Sequence, residues 1–331
     1  MVFLYKLRTE LNMDLKRFIK NIAVLTLVLA GISSGETGRG GYAGSFLRMG
    51  LGARALASGG GSAVFFGDGS VAYYNPAGIV FVSTRRATAS LASLSLDRSI
   101  SFVGYAQSLA PNGVRNAGFG IGWIGAGINN IDGRDTNGEH TDTYSASENC
   151  FYFSFAHSIT PRIAFGITAK ILSYNFPHLS DDGTVSAKGL GFDFGIMAVP
   201  LPNLFAGIVI KDINSRYSWN TQSIWEKGTQ KTDKFPLSVN AGAGMSLYNN
   251  LITVYLNYEK INYMSGTVSF GTELFPADKF ALRAGLYRSN ITFGAGFYWN
   301  VDKFNAGIDY AFVSDPVGPD NQHVVSVTFM F

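Results

Sequence analysis

The feature that most constrains this chain is a strict two-residue alternation within strand-length segments. Near the C-terminus, Ile291, Phe293, Ala295, Phe297 and Trp299 alternate with Thr292, Gly294, Gly296 and Tyr298. Leu237, Val239, Ala241, Ala243 and Met245 do the same against Ser238, Asn240, Gly242, Gly244 and Ser246. The last residues repeat the pattern, with Val325, Val327, Phe329 and Phe331 set against Ser326, Thr328 and Met330. Successive side chains of a strand point to opposite faces, so each segment has one apolar face and one small or polar face. Such segments recur at 87–96, 99–109, 116–127, 148–158, 162–174, 188–198, 204–213, 236–247, 251–260, 266–275, 279–288, 291–299, 303–313 and 322–331. The count is about fourteen and even, as closed single-chain barrels require.

A soluble sandwich would turn the apolar faces inward, whereas a membrane barrel turns them out to lipid. The connections separate the two. Those after even strands are short: Ala110 to Arg115, Thr160–Pro161, Pro200 to Asn203, Asn249–Asn250, Pro276 to Asp278 and Asn300 to Asp302. The long ones follow odd strands: Asn129 to Ser147, Asn175 to Ala187, Asn214 to Phe235 and Ser314 to Asn321. Short turns on one rim and long loops on the other is outer-membrane barrel anatomy. Composition agrees: 15% of residues are charged and 39 are glycine, where a soluble protein carries about 25% charged residues. No apolar run reaches the roughly 18 residues of a spanning helix, which leaves the closed barrel as the way to satisfy a backbone in lipid. The predicted fold is all-β, a transmembrane antiparallel barrel of about fourteen strands. Both termini fall on the short-turn rim, which places them in the periplasm of a Gram-negative cell. Trp123 and Trp299 suit interfacial girdles.

Before the barrel, residues 1–35 read as an export signal. Lys16, Arg17 and Lys20 precede the apolar run Ile22 to Ala30, and Ser33, Ser34 and Gly35 are small enough for cleavage. Met13 offers an alternative start. No cysteine follows the apolar run, and the single thiol, Cys150, forms no internal disulfide. A net charge of +3 is too small and too scattered for nucleic-acid binding.

Residues 36–84 do not alternate. They are rich in Gly, Ala and Ser, with a short helix predicted around Ala53 to Ala57, and are too apolar for a free tail. They are expected to fold into the mouth of the barrel of residues 85–331 as a plug. Here Phe46-Leu47-Arg48-Met49-Gly50, Ala53-Arg54-Ala55-Leu56-Ala57, Gly60-Gly61-Ser62-Ala63, Asp68 to Ser70 and Tyr74-Asn75-Pro76-Ala77-Gly78 resemble the N-terminal signature of the PorV/PorQ family. The Asn-Pro-Ala-Gly piece is shared with the wider FadL-like transporter superfamily. Ala281 to Leu286, the Gly294–Gly296 strand, Asp309-Tyr310-Ala311-Phe312 and the final phenylalanine fit the same resemblance. Phe65-Phe66-Gly67 is bulkier than the pattern. The resemblance implies a plugged fourteen-stranded barrel. It also implies either a part in type IX protein secretion, with secretion components or secreted proteins as partners, or a FadL-like passage for a hydrophobic small molecule. A purely structural barrel is the third reading, and outer-membrane lipid and the barrel-assembly machinery are partners in every case.

Candidate chemistry is sparse. Gly120-Ile-Gly122-Trp-Ile-Gly125 matches a dinucleotide fingerprint, but no helix follows to hold a pyrophosphate. Asp135-Thr-Asn137-Gly138-Glu139 has calcium-loop character, yet Gly133 stands where an acid is needed. His140, His157, His178 and His323 have no ligand spacing. No catalytic, cofactor or metal residue is assigned, and an enzyme is not expected. The candidate functional residues are instead the plug motif Arg54, Asn75, Pro76, Ala77 and Gly78, together with a lumen charge network of Lys170, Asp193, Glu273, Arg283 and Asp309. Glu273 and Arg283 are equidistant from the Pro276–Lys279 turn and should lie opposite one another. Phe329 and Phe331 are assigned to barrel assembly, since an unclosed edge in lipid leaves backbone groups unpaired.

Overall fold

The computed structural model describes residues 41–110, 116–176, 185–220, 228–301, 304–314 and 321–331. The expected signal 1–35, with Met13, and residues 36–40 of the expected plug lie outside the described residues, as do 177–184, 221–227 and 315–320 of three long connections. The strands are β1 (Arg86–Leu94), β2 (Arg98–Leu109), β3 (Ala117–Arg134), β4 (His140–Thr160), β5 (Ile163–Phe176), β6 (Val185–Leu201), β7 (Leu204–Ile213) and β8 (Arg216–Asn220). They continue as β9 (Gln230–Lys234), β10 (Ser238–Leu247), β11 (Ile252–Ile261), β12 (Thr267–Ala277), β13 (Phe280–Tyr287), β14 (Asn290–Val301), β15 (Phe304–Val313) and β16 (Gln322–Met330).

Fourteen of these close into an antiparallel barrel. Neighbours in the chain pair with each other, β7 skips to β10, and β16 returns to β1. Every alternating segment of the sequence falls on a barrel strand. The closing seam runs from Arg86↔Met330 to Ser93↔His323. It extends one step further, because Arg85 and Phe331 exchange backbone hydrogen bonds of 3.0 and 3.1 Å. The last residue is thus held in the ladder.

Two long connections prove to contain strand. Residues 129–147 are mostly continuations of β3 and β4, leaving a tight tip at 135–139. Within 214–235, β8 and β9 form a hairpin that pairs with β6 through Ala187↔Trp219 and Lys188↔Ser218. Tyr217 of β8 is buried and packs edge-on against Phe235, 4.9 Å between ring centroids.

The outer surface carries the apolar face of the alternation. Phe151, Phe153 and Phe155 of β4 are 56%, 54% and 43% exposed, and Ile167 and Ile171 of the adjacent β5 are 53% and 62% exposed. Leu190 and Phe192, Leu256, Val268, Leu282, Ile291 and Val325 continue this belt around the wall. No water-facing surface tolerates so much contiguous apolar area, whereas a bilayer interior requires it.

Residues 41–82 line the barrel from inside. They contain a 3-10 turn (Ser45–Arg48), a short helix at Ala53–Ala57, another at Val71–Tyr74 and a 3-10 stretch at Pro76–Phe81. The Ala53–Ala57 helix lies against β13 to β16, and Pro76–Phe81 against β2 to β6. Glycines of the wall make the fit possible. A Cβ at Gly271 would overlap the Ser58 carbonyl, and one at Gly195 would overlap the Asn75 side-chain oxygen.

Candidate functional site

Among the described residues, an ion pair ties the plug into the wall through Arg54. Arg54, on the Ala53–Ala57 helix, donates from Nε and Nη2 to the two Glu273 carboxylate oxygens at 2.9 and 2.6 Å. Glu273 of β12 stands opposite Arg283 of β13 in register, and Arg283 Nε donates to Glu273 Oε2 at 2.6 Å. Arg283 Nη1 reaches Asp309 Oδ1 of β15 at 2.7 Å, and its Nη2 donates to the Tyr298 hydroxyl at 2.6 Å. Tyr298 in turn donates to Asp309 at 2.8 Å. The cluster therefore spans one plug element and four adjacent strands, with a buried centre: the Arg283 and Glu273 side chains are 0% and 2% exposed. Bidentate pairing of a guanidinium with carboxylates is the strong, directional form of an ion pair.

Lys170 and Asp193 do not join this network. Lys170 Nζ lies 2.6 Å from both Asp193 and Asp212, at the other side of the lumen. Asp212 also donates its backbone N–H to Asp193 at 2.8 Å and accepts from Ser215 at 3.3 Å. This second cluster, contributed by β5, β6 and β7 with the following turn, is bonded together from the wall residues Lys170, Asp193, Asp212 and Ser215. Asp212, Tyr298 and Arg86 are functional candidates that the alternation pattern did not single out.

The Asn-Pro-Ala-Gly corner works as a cap. Asn75 is fully buried and extended, with φ −157° and ψ 111°. Its Oδ1 accepts from Ala77 N–H at 3.1 Å, and its Nδ2 donates to Ala63 O at 2.7 Å and Ile196 O at 3.1 Å. Pro76 starts the 3-10 stretch, where a missing N–H costs nothing. Pro76 and Ala77 sit directly on Gly166, where an added Cβ would come within 2.5 Å of both. Gly78 is buried beside Val71, whose Cγ2 an added Cβ would approach to 2.9 Å.

Between plug and wall, near the short-turn rim, lies a cavity of about 440 Å³. Arg54, Phe66 and Phe81 line it from the plug side, and Phe205, Tyr255 and Phe275 from the wall. Phe66 meets Phe205 edge-on at 5.0 Å, so one of the bulky plug residues outside the family-like pattern builds this space. Near the long-loop rim the plug is closed more tightly: Arg288 pairs with Glu259 at 2.6 Å and donates to Arg48 O at 2.6 Å, while Lys211 Nζ sits 3.9 Å above the Tyr73 ring.

Among the described residues no group of three or more His, Cys, Asp or Glu could hold a metal. At the β3–β4 tip, the Asp135 carboxylate accepts from the backbone N–H of Glu139 and Asn137 at 2.9 and 2.8 Å, which holds its pKa below the usual carboxylate range. A carboxylate spent on its own turn is a loop-forming group. The glycines of Gly120 to Gly125 lie within β3, Gly120 facing Ala72 and Ile79 of the plug.

No protein-family model and no curated protein matches this sequence. Solved structures do. The toluene transporter TbuX of Ralstonia pickettii superposes with a TM-score of 0.61 at 13% identity, over 85% of this chain and 98% of that one. The toluene transporter TodX of Pseudomonas putida gives 0.59 at 13% identity, over 85% and 96%. A FadL homologue of Pseudomonas aeruginosa gives 0.55 at 10% identity, over 83% and 96%. At these identities the likeness is one of fold: this chain shares the barrel architecture of those proteins.

Proposed function

We infer that the protein is an outer-membrane passage for hydrophobic small molecules, closed at rest by its N-terminal plug. The observation that carries this reading is the aromatic-lined cavity of about 440 Å³ between plug and wall. Ligand pockets of roughly 300–1,000 Å³ with apolar lining and a few polar groups are the usual form of a small-molecule site. The apolar outer belt supports a bilayer location, and the toluene transporters named above use the same fold for apolar cargo. In this reading the short-turn rim faces the periplasm and the β3–β4 tip faces the medium. An epitope inserted at Gly138 is then labelled on intact cells.

The test is uptake. Outer-membrane vesicles with a lipopolysaccharide leaflet, carrying the protein, should take up labelled naphthalene faster than vesicles without it. A disulfide between Ala53→Cys and Ser326→Cys, positions joined by a 2.7 Å hydrogen bond, should return the rate to the empty-vesicle level by locking the plug. Equal rates with and without the protein defeat the reading.

The type IX secretion reading is second. It is favoured by the family-like plug signature, which here fills the lumen with backbone-to-glycine contacts such as Ser58 on Gly271. Cross-linking from the β3–β4 tip in the native host, with secretion components recovered, would move it to first place. The assembly role of Phe329 and Phe331 is likewise a proposal: removing Phe329 to Phe331 should lower the yield of heat-modifiable barrel.

A further inference from the structure

The cavity near the short-turn rim has one feature that a site for a purely apolar cargo does not need. Arg86, the first residue of β1, lines it with its guanidinium. Its Nη1 donates to Gly67 O, while its Nε is buried without a hydrogen-bond partner. None of the ion pairs among the described residues gives Arg86 a carboxylate. Of the acids around it, Glu273 is shared between Arg54 and Arg283, and Asp68 accepts through Oδ1 from Ser70 N–H at 2.7 Å and from the Ser70 hydroxyl, while its Oδ2 is buried and hydrogen-bonded to nothing, Arg86 included. Of the ionised groups lining the cavity, two are guanidinium cations and one is a carboxylate. A partly buried guanidinium with no carboxylate bonded to it favours an anion at the cavity face, because an unpaired buried charge costs more than a paired one.

The remaining lining specifies the body of that anion. Phe66, Phe205 and Phe275 present rings to the space, and Phe66 and Phe205 are already in edge-to-face contact. Rings prefer to receive another ring in offset or edge-on geometry. We propose that this cavity binds a small aromatic carboxylate, its ring among Phe66, Phe205 and Phe275 and its carboxylate on Arg86. The proposal deepens the passage reading and rests on it: the molecule held at the periplasmic end of the passage carries a charge at one end.

The experiment uses the full-length protein in lipid nanodiscs at neutral pH and low salt. Three probes are compared by calorimetry: 1-naphthoate, its neutral isostere 1-naphthamide, and decanoate, an acid without a ring. The acid with the ring should bind about tenfold more tightly than either control, the gain expected of one buried charge-assisted pair. Arg86→Gln should bring 1-naphthoate down to the level of 1-naphthamide and leave 1-naphthamide unchanged, and Arg86→Lys should fall between. Equal binding of acid and amide by the wild type overturns the proposal, as does no binding of any probe. The wild-type comparison decides alone should the Arg86 variants fail to fold. Failure of the passage reading looks different: naphthalene uptake absent with 1-naphthoate binding intact.

Discussion

The two sides of the barrel hold the plug by different physics. On the β12 to β15 side, Arg54 enters a buried ion cluster with Glu273, Arg283, Asp309 and Tyr298. On the β5 to β7 side, the wall's own charges pair with one another, and the plug touches it through Asn75, Pro76 and Ala77 seated on Gly166, Gly195 and Gly207. Ion pairs out of water are held in place by the cost of leaving either partner alone, so they resist until one member is removed. Close packing against glycine has no such threshold; it degrades with each atom of misfit. One side is therefore a latch and the other a seat.

That contrast can be broken from either side. The largest expected effect is Arg283→Met, which leaves Glu273 and Asp309 buried without their shared cation. The cost should be about 3–5 kcal/mol, read as a lowered midpoint in the heat-modifiability transition. A shift of less than 1 kcal/mol would mean that the cluster does not hold this wall together. Next comes Gly195→Leu, which overfills the seat without touching any charge. Overpacking of about 1–3 kcal/mol should appear as protease cleavage within residues 46–68 while the barrel stays folded. Barrel loss together with plug loss would show that seat and wall are a single unit.

A double-mutant cycle then sharpens the latch. Arg54→Ala and Glu273→Gln should couple by about 1 kcal/mol in plug protease resistance, because they share two hydrogen bonds. Arg54→Ala combined with Lys170→Met should be additive, since those residues belong to separate clusters. The smallest effect belongs to the β3–β4 tip. Asp135 has a depressed folded pKa, so its turn bonds are present above the ordinary carboxylate pKa and are lost as pH falls through the folded value. Backbone amide exchange at Glu139 should accelerate only in that acid range, with no change in barrel stability. Acceleration already at neutral pH would remove the carboxylate from the account.

Much of the wall was legible because lipid enforces it. Each strand that crosses a bilayer must alternate, and all fourteen did. Strand that leaves the bilayer is released from that rule, which is why Ile131 to Arg134 and His140 to Ser147 read as loop although they are largely paired across a ladder with two register shifts. β8 hides for the same reason, although Tyr217 and Trp219 on alternate positions were a signal that could have been used. The facing of Glu273 and Arg283 followed from counting across a turn. The Arg54 partnership joins residues 219 positions apart, which no local pattern encodes. Asp212 was missed because it sits at φ 62°, where the strand breaks its own period.

The seam between β1 and β16 has a consequence for how the molecule comes to exist. These strands lie at opposite ends of the barrel sequence, so their meeting carries the longest loop-closure delay in the fold. The plug touches both from within: Gly69 N–H donates to Thr88, which contacts Thr328 at 2.9 Å, and Ala53 N–H donates to Ser326, which donates to Ser90. A sheet zipped one residue out of register would present these hydroxyls to lipid and leave the plug's amides bare. The segment that obstructs the lumen thus also matches the register of the seam, one hydroxyl to one amide.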